Sequence, residues 1–120
     1  MDQLNLFNMF QKKNTVDNGN KKIKDLISKR RRQILIHSVL YYRMNTSLID
    51  DYTFDKWAYE LADLQKEYPE LSNECIFSSF FKDFDGTTGY DLPLNNFWAI
   101  GVAKQLIKYN QKKEGLIKWK

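Results

Sequence analysis

The fold is decided by the stretch ILIHSVLYY at residues 34–42, which is followed by IDDYTFD at residues 49–55 and by PEL at residues 69–71. Apolar residues in and before the first stretch recur every three or four positions, which is the spacing of one face of a helix. No proline or glycine interrupts residues 22–45, and residues 45–47 then favour a turn. The sequence therefore predicts a first long helix over residues 22–45.

A second amphipathic helix follows this turn. Asp50 or Asp51 is suited to cap its N-terminus, and Asp55 adds negative charge near the positive end of the helix. The apolar residues that follow fall on one face, and Pro69 ends the pattern. We expect the aromatic side chains and carboxylates beside the turn to lie close together, because the two apolar faces pack against each other.

Aromatic spacing predicts a third helix over residues 73–84, a glycine-containing loop over residues 85–93 and a fourth helix over residues 94–113. The predicted fold is all-α, a compact four-helix domain over residues 21–120. In it, residues 21–71 form the helix pair, and residues 72–120 add further helices and the loop. Residues 1–20 begin with apolar positions and continue as a polar linker, which predicts a flexible N-terminal peptide.

The bulk composition narrows the classes of function. The chain has 120 residues, a formal charge of +4 and 42% hydrophobic residues, which suits one folded domain. Its single cysteine, Cys75, has no intramolecular partner for a disulfide, and with His37 as the one histidine no Cys/His zinc site can form. There is no signal peptide pattern and no apolar run long enough to span a membrane. We therefore expect a cytoplasmic protein that does not contact the membrane.

Four consecutive basic residues form a candidate basic patch: Lys29, Arg30, Arg31 and Arg32. A basic cluster on one helix face is usually only solvated, but in nucleic-acid-binding proteins such clusters contact phosphates. The net charge is mild, so nucleic-acid binding is the less favoured interpretation.

The segment DFDGTTGYD at residues 83–91 superficially resembles a calcium loop. A calcium loop of the EF-hand type needs glycine at its sixth position and glutamate at its twelfth. Here glycine stands at the fourth position, and Leu94 occupies the twelfth. The segment instead predicts a tight loop with a candidate surface for contact with a protein partner, formed by Asp83, Asp85, Tyr90 and Asp91.

Residues 23–71 resemble the N-terminal Ia module of NAD-dependent DNA ligases, which grips the nicotinamide end of the cofactor. Tyr41, Asp51 and Asp55 match a tyrosine and two aspartates of the family, and Tyr42 stands where the family has histidine or tyrosine. Phe54 departs from the family's usual tyrosine. Asparagine at residue 45 and serine at residue 47 depart from its aspartate and proline as well.

This resemblance implies a candidate nicotinamide or partner-binding corner made of Tyr41, Tyr42, Asp51, Phe54 and Asp55. Aromatic faces attract the cationic ring of oxidised nicotinamide, and carboxylates can bind ribose hydroxyls. Phe54 lacks the tyrosine hydroxyl, which weakens such a site. The alternative is that the aromatics are only core residues and Asp51 only a cap. NAD or nicotinamide mononucleotide binding stays open but is not favoured, and no cofactor is expected.

Catalysis is not expected. The ligase family needs a lysine two residues before an aspartate–glycine pair, and in KDFDG at residues 82–86 the lysine lies one residue too far away. No other part of the chain has room for the remaining nucleotidyltransferase motifs. The chain is therefore interpreted as a non-enzymatic protein.

The N-terminal peptide resembles the short motif that bacterial replication proteins insert into the sliding clamp. Its candidate contact residues are Gln3, Leu4, Leu6 and Phe7. A flexible peptide of this kind places apolar side chains in a pocket of the partner. The alternative is a short helix that docks on the domain's own core.

The layout also resembles small phage and prophage proteins that counter bacterial defence. That resemblance implies a protein of the bacterial host cytoplasm that binds a sirtuin-type NADase and inhibits it by occluding its activator-sensing surface. The alternatives are a replication or repair accessory tethered to the sliding clamp and a nicotinamide-nucleotide-binding protein. Aromatic side chains would supply most of the affinity for a protein partner.

Overall fold

A computed structural model describes the backbone of residues 2–118 and the side chains of residues 18–114. This part of the chain contains no strand and has four α-helices and one π-helical turn. They are α1 (Asp2–Ser38), the π turn (Val39–Arg43), α2 (Asp51–Glu67), α3 (Pro69–Asn73) and α4 (Phe97–Lys118). The predicted all-α, four-helix fold is confirmed.

The clamp-like peptide cannot be placed in this fold. The side chains of Gln3, Leu4, Leu6 and Phe7 lie outside the described residues. Both the clamp contact and the domain division at residue 20 therefore stay predictions.

The first predicted helix ends differently from the expectation of one α-helix over residues 22–45. The α-helical part stops at Ser38, and the chain continues as the π turn. There the Met44 N–H donates to the Val39 carbonyl, five residues back, at 3.1 Å. A π turn inserts one extra residue into the helical spiral and changes the direction of the side chains that follow. The apolar periodicity alone did not reveal this insertion.

The boundaries of α2 agree with the sequence. Asp50 is the N-cap, and its Oδ1 accepts a hydrogen bond from the Thr53 N–H at 2.8 Å. The helix ends at Glu67, just before Pro69. Pro69 then begins α3, where its missing N–H costs nothing because the first turn of a helix has no partner for that group.

The predicted third helix over residues 73–84 is wrong. α3 ends at Asn73, and residues 74–83 form consecutive turns. The guanidinium of Arg31 donates to the carbonyls of Ser72, Cys75 and Ile76 at 2.9, 3.3 and 3.1 Å. Phe77 then adopts a left-handed conformation with φ of 64°. These carbonyls thus bind Arg31 from α1, and a left-handed residue cannot continue a right-handed helix.

The fourth predicted helix is present but shifted. α4 begins at Phe97, after Asn96 has capped it by accepting a hydrogen bond from the Ala99 N–H at 3.0 Å. Asparagine is among the preferred N-cap residues, and Leu94 and Asn95 fall in the turn before it.

The core lies where α1 and the π turn meet α2 and α4. Its fully buried side chains come from all four of these elements and from Phe81 in the turns; they are Ile27, Ile34, Leu35, Val39, Leu40, Ala58, Leu61, Phe81, Ala99 and Ala103. This core holds the end of α1 and the beginning of α2 against each other. Among the described residues, no helix combines the length and apolarity that a membrane crossing requires.

Candidate functional site

A cavity of about 270 Å³ lies at the corner between the end of α1, the π turn and the beginning of α2. Its walls contain all five residues of the predicted corner, Tyr41, Tyr42, Asp51, Phe54 and Asp55, together with His37, Ser47, Leu48, Ile49 and Thr87. The structure therefore brings the five predicted residues together around one cavity, as we expected from the packing of the two helices.

Local backbone geometry explains why the corner opens here. After the π turn, Asn45 adopts a left-handed conformation with φ of 53°, a region that asparagine tolerates better than most residues. The Thr46 N–H then reaches back to the Leu40 carbonyl at 2.8 Å. The chain reverses direction within a few residues, and the two tyrosines of the π turn line the same cavity as residues of the first turns of α2.

The two tyrosines of the cavity differ in their support. Tyr41 is 56% exposed, and its ring meets Tyr42 edge to face at a centroid distance of 4.9 Å. Tyr42 is held more firmly, because its hydroxyl hydrogen-bonds Thr88 Oγ1 at 2.8 Å and its ring meets Tyr90 at 5.5 Å. Tyr42 is thus held by Thr88 and Tyr90, whereas Tyr41 is the more exposed of the two tyrosines.

The two carboxylates stand one helical turn apart on α2. Asp51 and Asp55 are four residues apart, so they project from the same face of the helix, and both are exposed. Phe54 lies between them in sequence and is partly buried against the core. The cavity therefore combines an electronegative rim with aromatic walls.

His37 is a cavity residue that the sequence interpretation did not assign to the site. Burial lowers the pKa of its imidazole below the ordinary 6.5, so the ring is neutral at pH 7. Its ring lies tilted against Trp57 at a centroid distance of 5.8 Å. The spacing of His37 could have indicated that it belongs to the site. It precedes Tyr41 by four residues and so shares a helix face with it.

The loop over residues 84–92 closes one side of the cavity through Thr87. Two glycines allow its close approach: Gly86 has φ of 91°, and Gly89 lies against Ser38 of α1. A Cβ added at Gly89 would overlap the Ser38 hydroxyl. The sequence predicted a tight loop here but did not indicate that the loop would border the predicted corner.

The candidate contact loop exposes its four predicted residues: Asp83, Asp85, Tyr90 and Asp91. Asp85 is engaged within the loop, since its Oδ1 accepts from the Thr87 hydroxyl at 2.6 Å and from the Thr87 N–H at 3.0 Å, and these two hydrogen bonds hold its pKa below the usual value. The three aspartates border a second cavity of about 430 Å³. Among the described residues, no group of three acidic, histidine or cysteine side chains has metal-binding geometry.

The candidate basic patch is not one surface. Arg31 is 2% exposed and binds the backbone after α3, so its charge is withdrawn from the surface. Arg30 lies over the Trp57 ring at 5.4 Å and pairs with Glu60 at 3.3 Å. Of the four predicted residues, Lys29 is exposed and Arg32 is half-buried. Arg31 is therefore not a surface charge of the candidate patch, and Arg30 is engaged by Trp57 and Glu60.

The five corner residues lie in a segment of the chain that matches a known family. Residues 20–74 match the family model described as the DNA ligase-like, N-terminal NAD+-binding domain. The match covers just under half of the chain, from within α1 to just beyond α3, and it includes all five predicted corner residues. No curated protein and no solved structure matches the chain. The ligase Ia-like character thus belongs to the helix pair, whereas the 84–92 loop and α4 lie outside the match.

Proposed function

We propose that this chain is a non-enzymatic module that binds the nicotinamide half of NAD or nicotinamide mononucleotide. The observation that supports it is the convergence of Tyr41, Tyr42, Asp51, Phe54 and Asp55 on one cavity within the segment matched by an NAD+-binding family. Neither the convergence nor the family match alone would favour a ligand so strongly.

The lining chemistry suits this ligand. Oxidised nicotinamide is a flat cation, and the faces of Tyr41 and Tyr42 attract such a ring by a cation–π interaction. Asp51 and Asp55 can accept hydrogen bonds from ribose hydroxyls, and bonds to a charged acceptor are the stronger kind. Phe54 contributes an apolar wall without a hydroxyl.

The proposal is limited to binding. The cavity wall contains no lysine, and the lysine of the KDFDG segment, Lys82, lies outside it. The side chains present can hold a cationic ring and a sugar, but a nucleotidyl transfer needs a nucleophile positioned at the phosphate.

Titration calorimetry with nicotinamide mononucleotide and NAD tests the proposal. We expect a one-site binding isotherm that weakens roughly fivefold in Tyr41→Ala, because a cation–π contact at an exposed ring contributes up to about 1 kcal/mol. Tyr109→Ala is the matched control, since Tyr109 is a 68% exposed tyrosine on α4, outside the cavity. Absence of heat for both ligands at millimolar concentration would contradict the proposal.

A second candidate function is inhibition of a protein partner, as the resemblance to phage anti-defence proteins implies. The observation in its favour is the set of large aromatic side chains left on the surface: Tyr52, Tyr59, Tyr90, Phe97, Trp98 and Tyr109. Phe97 is 92% exposed. Aromatic residues dominate the binding energy of protein interfaces. The sirtuin-type NADase as partner rests on the resemblance alone.

Co-purification with a sirtuin-type NADase, together with an assay of NAD consumption, tests this second function. We expect a stable complex that consumes NAD more slowly, and a weaker complex with Phe97→Ala. If the NADase kept its full activity with an excess of this protein and no complex formed, the inhibitory function would be excluded. Lys104→Ala on the same helix serves as a control for general effects on α4.

A further inference from the structure

One side of α4 carries a row of positive charge. Lys104, Lys108 and Lys112 stand four residues apart, so they project from the same side of the helix, and all three are exposed. The ion pairs found among the described residues join α1 to other segments and do not involve this row. Like charges at this spacing repel each other and destabilise a helix. The row therefore does not serve the stability of the helix that carries it.

The acidic residue of α4 does not neutralise the row. In the part of α4 whose side chains the structure describes, Glu114 is the one carboxylate, and it follows Lys112 by two positions. Residues two apart lie on nearly opposite sides of a helix. Glu114 Oε1 instead accepts a hydrogen bond from Asn110 Nδ2 at 3.3 Å. The lysine side of α4 is thus positively charged along its length.

Gly101 lies on the same side of α4, and packing within the domain does not require a glycine there. Glycine inside a helix is destabilising relative to alanine. Apart from the local backbone of the helix, no described atom lies within 4 Å of a Cβ added at this position. The missing side chain instead leaves a shallow cavity of about 500 Å³, lined by Gly101, Lys104, Gln105, Ile107, Lys108 and Gln111. A second molecule can approach the helix backbone closely at this point.

Phe97 stands at the beginning of this side of the helix. It precedes Gly101 by four residues, so the two share one face. Phe97 is 92% exposed, whereas the ring of its neighbour Trp98 packs against Phe77 at a centroid distance of 5.6 Å. The faces of the Phe97 ring are therefore open for stacking with a flat ligand.

An open aromatic ring in line with a row of cations is the combination that binds single strands of nucleic acid, whose bases stack while their phosphates follow the positive charge. We propose that single-stranded nucleic acid binds the lysine face of α4, which consists of Phe97, Gly101, Lys104, Lys108 and Lys112. A base stacks on Phe97, and the backbone passes Gly101 and follows the lysines. The family match ends at residue 74, so this surface belongs to the helix added after the ligase-like pair.

Other occupants suit the lysine face less well. Protein interfaces are depleted in lysine, and a second copy of this chain would set one lysine row against another. The bases of a duplex are stacked on each other and offer no face to Phe97. A helix that lies on an anionic membrane turns its apolar side to the lipid, whereas the apolar side of α4 is buried in the core through Ala99 and Ala103.

Fluorescence anisotropy with the full chain tests the proposal. The probes are labelled thymidine and uridine oligonucleotides of about fifteen nucleotides, which separate DNA from RNA, and a DNA duplex of the same length. We expect a dissociation constant of about 1–100 μM for at least one single strand at low salt, and binding of the duplex at least about fivefold weaker. The logarithm of the binding constant should fall with the logarithm of the salt concentration with a slope of about −2, because three contacts to single-strand phosphates contribute about −0.7 each.

Charge variants test the row of lysines. Lys108→Gln should weaken binding several-fold and make the salt slope less steep by about 0.7. Lys113→Gln is the matched control, because it removes an exposed lysine from the same helix but lies off the lysine face, one position after Lys112. The control should leave the slope unchanged.

Two further variants test stacking and close approach. Phe97→Ala should weaken binding roughly five- to hundredfold without changing the salt slope, because a stacked ring carries no charge. Tyr109→Ala, which removes a 68% exposed aromatic side chain elsewhere on α4, should have little effect. Gly101→Leu fills the shallow cavity and should weaken binding, although leucine favours a helix and thermal stability should not fall.

The outcomes separate this proposal from its alternatives and from the nicotinamide site. If neither single strand binds, if the duplex binds as tightly, or if Lys108→Gln and Phe97→Ala act no more strongly than their controls, the proposal is overturned. Binding of anionic lipid vesicles or of polyglutamate in place of the oligonucleotides would also overturn it. Loss of single-strand binding in these variants, with full binding in the controls, supports it. Nicotinamide mononucleotide binding should be the same in all of these variants, so the two proposals stand or fail independently.

Discussion

The helix pair over residues 20–74 and the segment after it differ in what determines their backbone structure. Local sequence determines the first, and contacts with distant residues determine the second. In the pair, each boundary has a local cause, such as the Asp50 cap and the Pro69 stop. In the later segment, residues 74–96 take their shape from distant groups, above all Arg31 and the surface of α1. Local signals can be read from a sequence, whereas a backbone shaped by a distant side chain depends on the tertiary fold.

The two regions nevertheless share one cavity. The helix pair supplies the aromatic and acidic walls, and the later segment supplies Thr87 and the supports of Tyr42. The contribution of each region to the cavity can therefore be tested separately. A substitution in the later segment can alter the cavity without changing any residue of the segment that matches the family.

Arg31→Met should have the largest effect, because Arg31 joins the two regions. The change removes three hydrogen bonds to backbone carbonyls and one from Arg31 Nε to Gln65 Oε1 at 2.9 Å. We expect the free energy of unfolding to fall by roughly 3 kcal/mol, since buried carbonyls lose their partners. Urea denaturation measures it, and Lys29→Met is the exposed control on the same helix. Equal stability of both variants would show that the turns hold their shape without Arg31.

Gly89→Ala should break the contact between the loop and α1. The new Cβ would overlap Ser38, so the loop must move away, at an expected cost of about 1–3 kcal/mol. Gly101→Ala is the matched control, since nothing lies within 4 Å of a Cβ at that helical position. That control should be stabilising by roughly 0.5–1 kcal/mol because alanine favours a helix.

The same pair of glycine variants tests whether the loop belongs to the site. Because Thr87 forms part of the cavity wall, displacement of the loop by Gly89→Ala should also weaken binding of nicotinamide mononucleotide. Gly101→Ala should leave the affinity unchanged. A destabilised Gly89→Ala protein with full affinity would restrict the site to the helix pair.

The sequence predicted the structure best where neighbouring residues determine it. The all-α fold, the start and end of α2 and the five corner residues followed from periodicity, caps and resemblance. The turns over residues 74–83 did not, because Phe77, Phe80 and Phe81 have helical spacing. The sequence alone does not show that Arg31 binds the backbone carbonyls of Ser72, Cys75 and Ile76. Thr87 did not either, since it is separated from Asp51 by 36 positions and only the packing of Gly89 on α1 brings it to the cavity.

Lowering the pH should affect the helix pair through His37. Burial lowers the pKa of His37 in the folded protein below 6.5, so below pH 6.5 the unfolded chain binds more protons than the folded one. The free energy of unfolding should thus be constant above about pH 6.5 and decrease as the pH falls toward the folded pKa. Urea denaturation between pH 5 and pH 8 measures this, and His37→Gln should remove the slope.

Ligand affinity should follow the same direction. The other ionisable side chains that line the cavity with His37 are Asp51, Asp55, Tyr41 and Tyr42. Protonated His37 would repel a cationic nicotinamide ring, so affinity should fall several-fold at low pH. An unchanged affinity at pH 5 would place the ring away from His37.

The smallest expected effect concerns the hydrogen bond that joins the hydroxyls of Tyr42 and Thr88 across the two regions. Because this bond is exposed, Tyr42→Phe should cost only about 0.5 kcal/mol in stability. A double-mutant cycle with Thr88→Val should give a coupling energy of similar size, and Thr88→Ser, which keeps the hydroxyl, should preserve it. Thr88 Oγ1 also accepts from the Tyr90 N–H at 3.1 Å, so the cycle is needed to separate the two bonds. Zero coupling would mean that the edge contact with Tyr90, rather than the hydrogen bond, holds the Tyr42 ring at the cavity.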